Sequence, residues 1–113
     1  MDEPVHLNIQ QAGEAVVLEP LTQEITFRNQ KSLFAKADDA AEMGAWVVLD
    51  LNAVRVMDSV SLGALASFKR RLDEGGRALR VCGLRPQIRE IFSILKFTSI
   101  FSIFDAREEA LSK

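Results

Sequence analysis

The segment Val56-Met57-Asp58-Ser59-Val60-Ser61-Leu62-Gly63 sets one acid and two hydroxyls between an apolar run and a helical pattern. A helix that begins there leaves its first N–H groups without intrahelical partners, and its dipole adds partial positive charge at the same end. Asp58 or Ser59 can cap such a helix, and a phosphate added to a hydroxyl can be held beside it. Two readings of these residues stand together. Asp58 is a plain N-cap followed by ordinary polar helix-start residues, or the segment is a site for an anion.

Other reactive side chains are scarce: the 113 residues include one Cys, one His and no Tyr. Cys82 cannot close an internal disulfide, and Cys82 with His6 cannot make a four-ligand zinc site. No nucleophile, base and orienting group can be assembled, and no G-x-x-x-x-G-K phosphate loop is present, so neither an enzyme nor a cofactor is expected. His6 reads as a solvated residue of an edge strand, and Cys82 as a small core residue. Lys69, Arg70, Arg71 and Arg77 read as a solvated helix end favoured by the dipole, the other reading being a contact for an acidic partner.

The elements that must position these residues belong to one domain, residues 1–113. With 48% hydrophobic and 27% charged residues the chain should fold alone. Fourteen Lys plus Arg against sixteen Asp plus Glu give a net charge of -2, which offers nucleic acid no broad electrostatic footprint. The start, MDEPVHLNIQ, has two acids where a secretory signal would carry a basic region, so a cytoplasmic location is expected. Residues 91 to 104 are apolar but interrupted by Lys96, and they fall short of the roughly 18 residues of a membrane span.

Alternation over residues 5 to 10, with Val5, Leu7 and Ile9 on one side, predicts a strand exposed on one face. A turn around Ala12-Gly13 should return the chain antiparallel through Ala15 to Leu18, before Pro20. Leu33, Phe34, Ala37, Ala40 and Ala41 recur at helical spacing, with Thr26 as the cap and Gly44 at the end. WVVLDL, residues 46 to 51, has the continuous apolar pattern of a central strand. A loop from Asn52 to Met57 precedes a helix built on Leu62, Leu65, Ala66, Phe68 and Leu72. ALRVCG is the next strand, and Pro86 opens a helix with a stripe of Ile88, Ile91, Phe92 and Leu95. Ile100 to Phe104 is a short extended piece before a last helix opened by Asp105. Phe92, Phe97, Phe101 and Phe104 are expected to form core under that helix. The order predicts an α/β fold: a mixed, mostly parallel sheet with an N-terminal antiparallel hairpin and helices packed on it.

The block LDLNAVRVMDSVSLGAL resembles the signature of the STAS family, the anti-sigma factor antagonists, in which a strand ending in Asp-Leu leads to an Asp-Ser dipeptide opening a helix. LRVCGLRPQIREIF resembles that family's next strand, Gly, Pro and third helix, and IFSIFDAREEAL its C-terminal segment, so nearly the whole chain is covered. The resemblance implies that Ser59 is the phosphoacceptor of a dedicated serine kinase, often the anti-sigma factor itself, with Asp58 as the acid that precedes it. The family pattern Ser-Gly-Leu-Gly is replaced here by Val60-Ser61-Leu62-Gly63, which stiffens the helix start and makes Ser61 a second, weaker candidate acceptor. Gln23 stands where many members have Gly, and Leu95-Lys96 replaces a common Thr-Gly.

The expected function is therefore a regulatory one. The dephosphorylated chain binds a serine-kinase anti-sigma factor through Met57, Val60, Ser61 and Leu62, and phosphorylation releases it. The alternative is a non-switching STAS scaffold or accessory subunit of a stress-signalling complex or lipid transporter. A phosphatase that resets Ser59 and a second copy of the chain are further candidate partners.

Overall fold

The computed structural model describes residues 3–112. The chain opens with β1 (Leu7–Ala12) and β2 (Ala15–Pro20), paired antiparallel from Leu7 opposite Pro20 to Ala12 opposite Ala15. Gly13 takes φ +62° in the two-residue turn, the left-handed first position that lets a tight hairpin follow the twist of its strands. Two elements then depart from the sequence expectation. A short strand β3 (Glu24–Ile25) comes before α1 (Gln30–Ala41), and the stretch predicted as loop ahead of Asp58 holds a second one.

That sequence continues with β4 (Trp46–Asp50), β5 (Val56–Met57), α2 (Ser59–Glu74), β6 (Leu79–Cys82) and α3 (Pro86–Ile94). A 3-10 turn over Phe97–Ser99 leads to β7 (Ser102–Phe104) and α4 (Arg107–Leu111). The main sheet has five strands in the order β1-β2-β4-β6-β7, antiparallel only at the β1–β2 hairpin, while β3 and β5 make a separate parallel pair. This is the small mixed α/β domain that the alternation of elements predicts.

The two faces of the sheet are covered unequally. Val16, Leu18, Val47, Leu49, Leu79 and Val81 point into a large core closed by the stripes of α1, α2 and α3. The five α1 residues predicted as its apolar stripe, Leu33, Phe34, Ala37, Ala40 and Ala41, are its five buried residues. On the other face Val17, Val48 and Cys82 form a smaller cluster with Ala110 of α4, with Ala12, Trp46, Phe104 and Leu111 packed around it. Cys82 is thus a buried core residue, and its thiol is pushed up to about 12, by burial first and then by the nearby Asp50 carboxylate.

Several local expectations are corrected. Thr26 does not cap α1; Asn29 occupies the N-cap, and its side chain folds back to accept from the Thr26 N–H (2.9 Å) and donate to the Glu24 carbonyl (2.8 Å). Phe92, Phe97 and Phe101 cluster at ring distances of 5.3–5.8 Å in the core beside α3, and only Phe104 lies on the α4 side. Asp105 does not open α4, which begins at Arg107, and the Glu109 carboxylate closes it by accepting from the Ala106 N–H (3.2 Å). Ile9 is 42% exposed because β1 is the sheet edge and α1 covers only part of it.

Candidate functional site

The site is built where β3 and β5 pair. Glu24 lies opposite Val56 and Ile25 opposite Met57, and the Gln23 carbonyl accepts from the N–H groups of Arg55 (2.7 Å) and Val56 (3.0 Å). Gln23 does this with φ outside the left-handed region, so a glycine is not required at that position. The pairing delivers the Thr26–Asn29 turn to the start of α2. There Asp58 sits at the N-cap with φ -92° and ψ 178°.

Both oxygens of the Asp58 carboxylate are in use. Oδ1 accepts from the Ser61 N–H (2.8 Å), the usual N-cap bond, and Oδ2 accepts from the Phe27 N–H (2.8 Å) of the neighbouring turn. Partial burial pushes the acid upward, but the backbone N–H groups of Ser61 and Phe27 outweigh it and hold the carboxyl below its ordinary value of 3.8. Asp58 is therefore a charged staple between two segments as well as a cap.

The two hydroxyls are placed very differently. Ser59, the first residue of α2, is exposed, and its hydroxyl has no partner among the described residues. The first helical bond runs from the Leu62 N–H to the Asp58 carbonyl (3.0 Å), so the N–H groups of Ser59 and Val60 precede the helical ladder. Ser61 has 0% exposure, and its hydroxyl donates to the Asp58 carbonyl (2.9 Å). Of the two candidate acceptors, Ser61 thus has a hydroxyl that faces the core and is already bonded, whereas that of Ser59 faces outward.

Burial also divides the residues expected to contact a partner. Met57 and Leu62 are 5% exposed and belong to the core, whereas Val60 is 48% exposed beside Ser59. The apolar surface around Ser59 comes largely from residues that sequence reasoning did not assign to the site. A groove of about 490 Å³ runs from Ser59, Leu62 and Gly63 to Ile91, Ile94, Leu95 and Phe97. Ile94, 70% exposed, lies off the buried stripe of α3, and an extra apolar residue on the outer face of a helix was its available signal. On the other side of Asp58, exposed Phe27 forms the rim of a polar depression with Thr26, Arg28 and Asn29. No local pattern marks Phe27, because it reaches the site only through β3–β5 pairing.

The remaining candidates lie elsewhere. His6 is exposed on the segment leading into β1, one residue before the strand begins. Of the basic cluster, Lys69 pairs with Asp73 (2.6 Å), Arg71 with Asp38 of α1 (3.2 Å), and Arg77 donates to the Gly44 carbonyl (3.1 Å). These three are engaged within the domain.

Three comparisons bear on this arrangement. The family model described as the STAS domain matches residues 6–110. BtrV of Bordetella bronchiseptica, named as an anti-sigma factor antagonist, is 36% identical over 64 residues, an alignment spanning 57% of this chain and 55% of that protein. The chain thus matches about half the length of that relative. Among solved structures, an anti-sigma factor antagonist of Thermotoga maritima superposes with TM-score 0.85 at 20% identity, covering 93% of this chain and 91% of that one. The phosphorylated form of the Bacillus cell fate determinant SpoIIAA gives TM-score 0.70 at 21% identity, covering 94% and 96%. At those identities the structural likeness speaks for the fold.

Proposed function

The chain belongs to the STAS domain family, and from that premise we propose that it is a phosphorylation-switched anti-sigma factor antagonist acting in the cytoplasm. The unphosphorylated chain binds a serine-kinase anti-sigma factor, and phosphorylation of Ser59 releases it. The observation that carries this reading is the exposed, unpartnered Ser59 hydroxyl at the first position of α2, beside an apolar groove and next to a carboxylate whose two oxygens are already engaged.

The physics of such a switch is local. Ser59, Val60 and the rim of Ile94 and Leu95 offer a partner apolar area around one hydrogen-bonding group. Phosphorylation adds about -1.5 to -2 charges at that spot, beside the Asp58 carboxylate. The free N–H groups of Ser59 and Val60 and the helix dipole make that charge tolerable to the domain, while an apolar or acidic partner surface cannot accommodate it. A loss of about 3 kcal/mol in association is roughly a 100-fold change in affinity, enough for a switch at fixed concentrations.

Incubation with the organism's serine-kinase anti-sigma factor and ATP, followed by mass spectrometry, tests the assignment. Wild type and Ser61→Ala should each gain one phosphate, and Ser59→Ala none; equal phosphorylation of Ser59→Ala would sink it. A Ser59→Asp chain that still holds its partner at wild-type affinity would favour the non-switching scaffold instead.

A further inference from the structure

We propose that β1 is the interface of a two-fold symmetric homodimer, in which two copies join their β1 strands antiparallel, edge to edge. No residue of this interface belongs to the Ser59 surface, so the two readings stand or fall separately.

The hairpin register shows which backbone groups are available. Its two-residue turn is closed by Ala12 and Ala15, and farther along the His6 carbonyl accepts from the Leu21 N–H (2.9 Å). Antiparallel bonding alternates, so the even-numbered residues of β1 bond to β2 while Leu7, Ile9 and Gln11 turn their N–H and C=O groups to the open edge. The strand LNIQQA carries no charge and no proline, the features that ordinarily keep an edge from pairing. The opposite edge, β7, is only three residues long, so association through β1 closes at two copies and does not propagate.

The surroundings favour a second copy of this chain as the occupant. Ile9 (42% exposed) and Met43 (49% exposed) flank a groove of about 380 Å³ along the edge, shared with Lys36 of α1. Lys36 Nζ donates to the Val5 carbonyl (2.7 Å) and Gln11 Nε2 to the Met43 carbonyl (2.9 Å), which fastens both ends of the strand to the domain. Setting Ile9 opposite Ile9 of the second copy pairs Leu7 with Gln11, and each facing pair exchanges both of its backbone bonds. The same register brings Val5 opposite Gly13 of the second copy, so Lys36 meets the hairpin turn bearing Glu14. The two-fold repeats this contact of opposite charges at the other end.

Sedimentation over a range of micromolar concentrations, with amide hydrogen exchange on the same samples, tests the proposal. The expected result is a monomer–dimer equilibrium in which the Leu7, Ile9 and Gln11 amides exchange more slowly as concentration rises. Ile9→Lys, which sets two like charges across the axis, should weaken dimerisation by up to about 30-fold with an unchanged thermal transition of the monomer. Lys36→Glu should also weaken it, and adding Glu14→Lys should restore it. A chain that stays monomeric at every concentration overturns the proposal, including the case in which the edge accepts only an extended peptide from another protein. So does a dimer that Ile9→Lys leaves intact.

Discussion

Asp58 makes the start of α2 sensitive to acid in a way that a simple cap would not. Its carboxylate joins α2 to the Phe27 turn through two backbone bonds, and those bonds, opposing the upward push of burial, hold its titration below 3.8. A carboxyl whose folded value is depressed adds stability that is fully present above the unfolded value, about 3.9, and that is lost as pH falls through the lower folded value. Asp58→Ala should therefore cost about 1–2 kcal/mol near neutrality and progressively less as pH falls through the lowered folded value, as measured by urea unfolding across pH. It should also slow phosphorylation of Ser59, because the acceptor would then sit on a frayed first turn. A constant difference across pH would show that the carboxylate contributes only shape. The sequence made Asp58 and Ser59 legible as a helix start, because cap residues ahead of a helical stripe are a local pattern. It did not reveal that Ser61 faces the core, since serines two apart lie on different sides of a helix and only packing decides which side is buried.

Where sequence reading succeeded among the elements, the signal was periodic. The α1 stripe, the WVVLDL strand and the Pro86 helix start follow from spacing alone, and the observed elements match them. The β3–β5 pair escaped because two-residue strands have no period, and their hydrogen bonds join segments about thirty residues apart. The α3 terminus shows a different kind of departure. Lys96 takes φ +61° directly after Leu95 and donates its N–H to the Ser93 carbonyl (3.1 Å), the left-handed turn with which many helices end. Among the described residues it is the one non-glycine with positive φ. A side chain in that conformation costs roughly 1–2 kcal/mol, part of which glycine would return as greater freedom of the unfolded chain. Lys96→Gly should raise stability by about 0.5–1 kcal/mol in denaturant unfolding. A loss of stability would mean that the lysine side chain makes a contact worth more than the backbone strain.

The whole molecule is asymmetric, with three helices over one face of the sheet and the five-residue α4 over the other. So small a helix cannot hold by burial alone, and Arg107 fastens it. Its guanidinium reaches Asp50 at the end of β4 (2.9 Å), Glu19 of β2 (2.8 Å) and Gln10 of β1 (3.2 Å), tying α4 across three strands. Gly83, at φ +72°, makes this possible, because a Cβ there would stand 2.7 Å from Asp50 Oδ1. Arg80 adds a second tie, lying 4.4 Å over the Trp46 ring and donating to the Ala110 carbonyl (2.8 Å). Removing Arg107 leaves the nearly buried Asp50 carboxylate without its cationic partner, so Arg107→Ala should cost about 2–3 kcal/mol, below the range for fully buried pairs because the arginine itself is partly solvated. If that loss falls on the docking of α4, Cys82 beneath it reports the opening, and its reaction with a thiol reagent should quicken by roughly 30- to 100-fold. Electrostatics alone predicts the opposite sign. The Arg107 charge lowers the Cys82 titration, so deleting it leaves less thiolate and slower reaction at any given pH. Faster labelling in Arg107→Ala therefore identifies release of α4, and slower labelling identifies a helix that stays docked without its arginine.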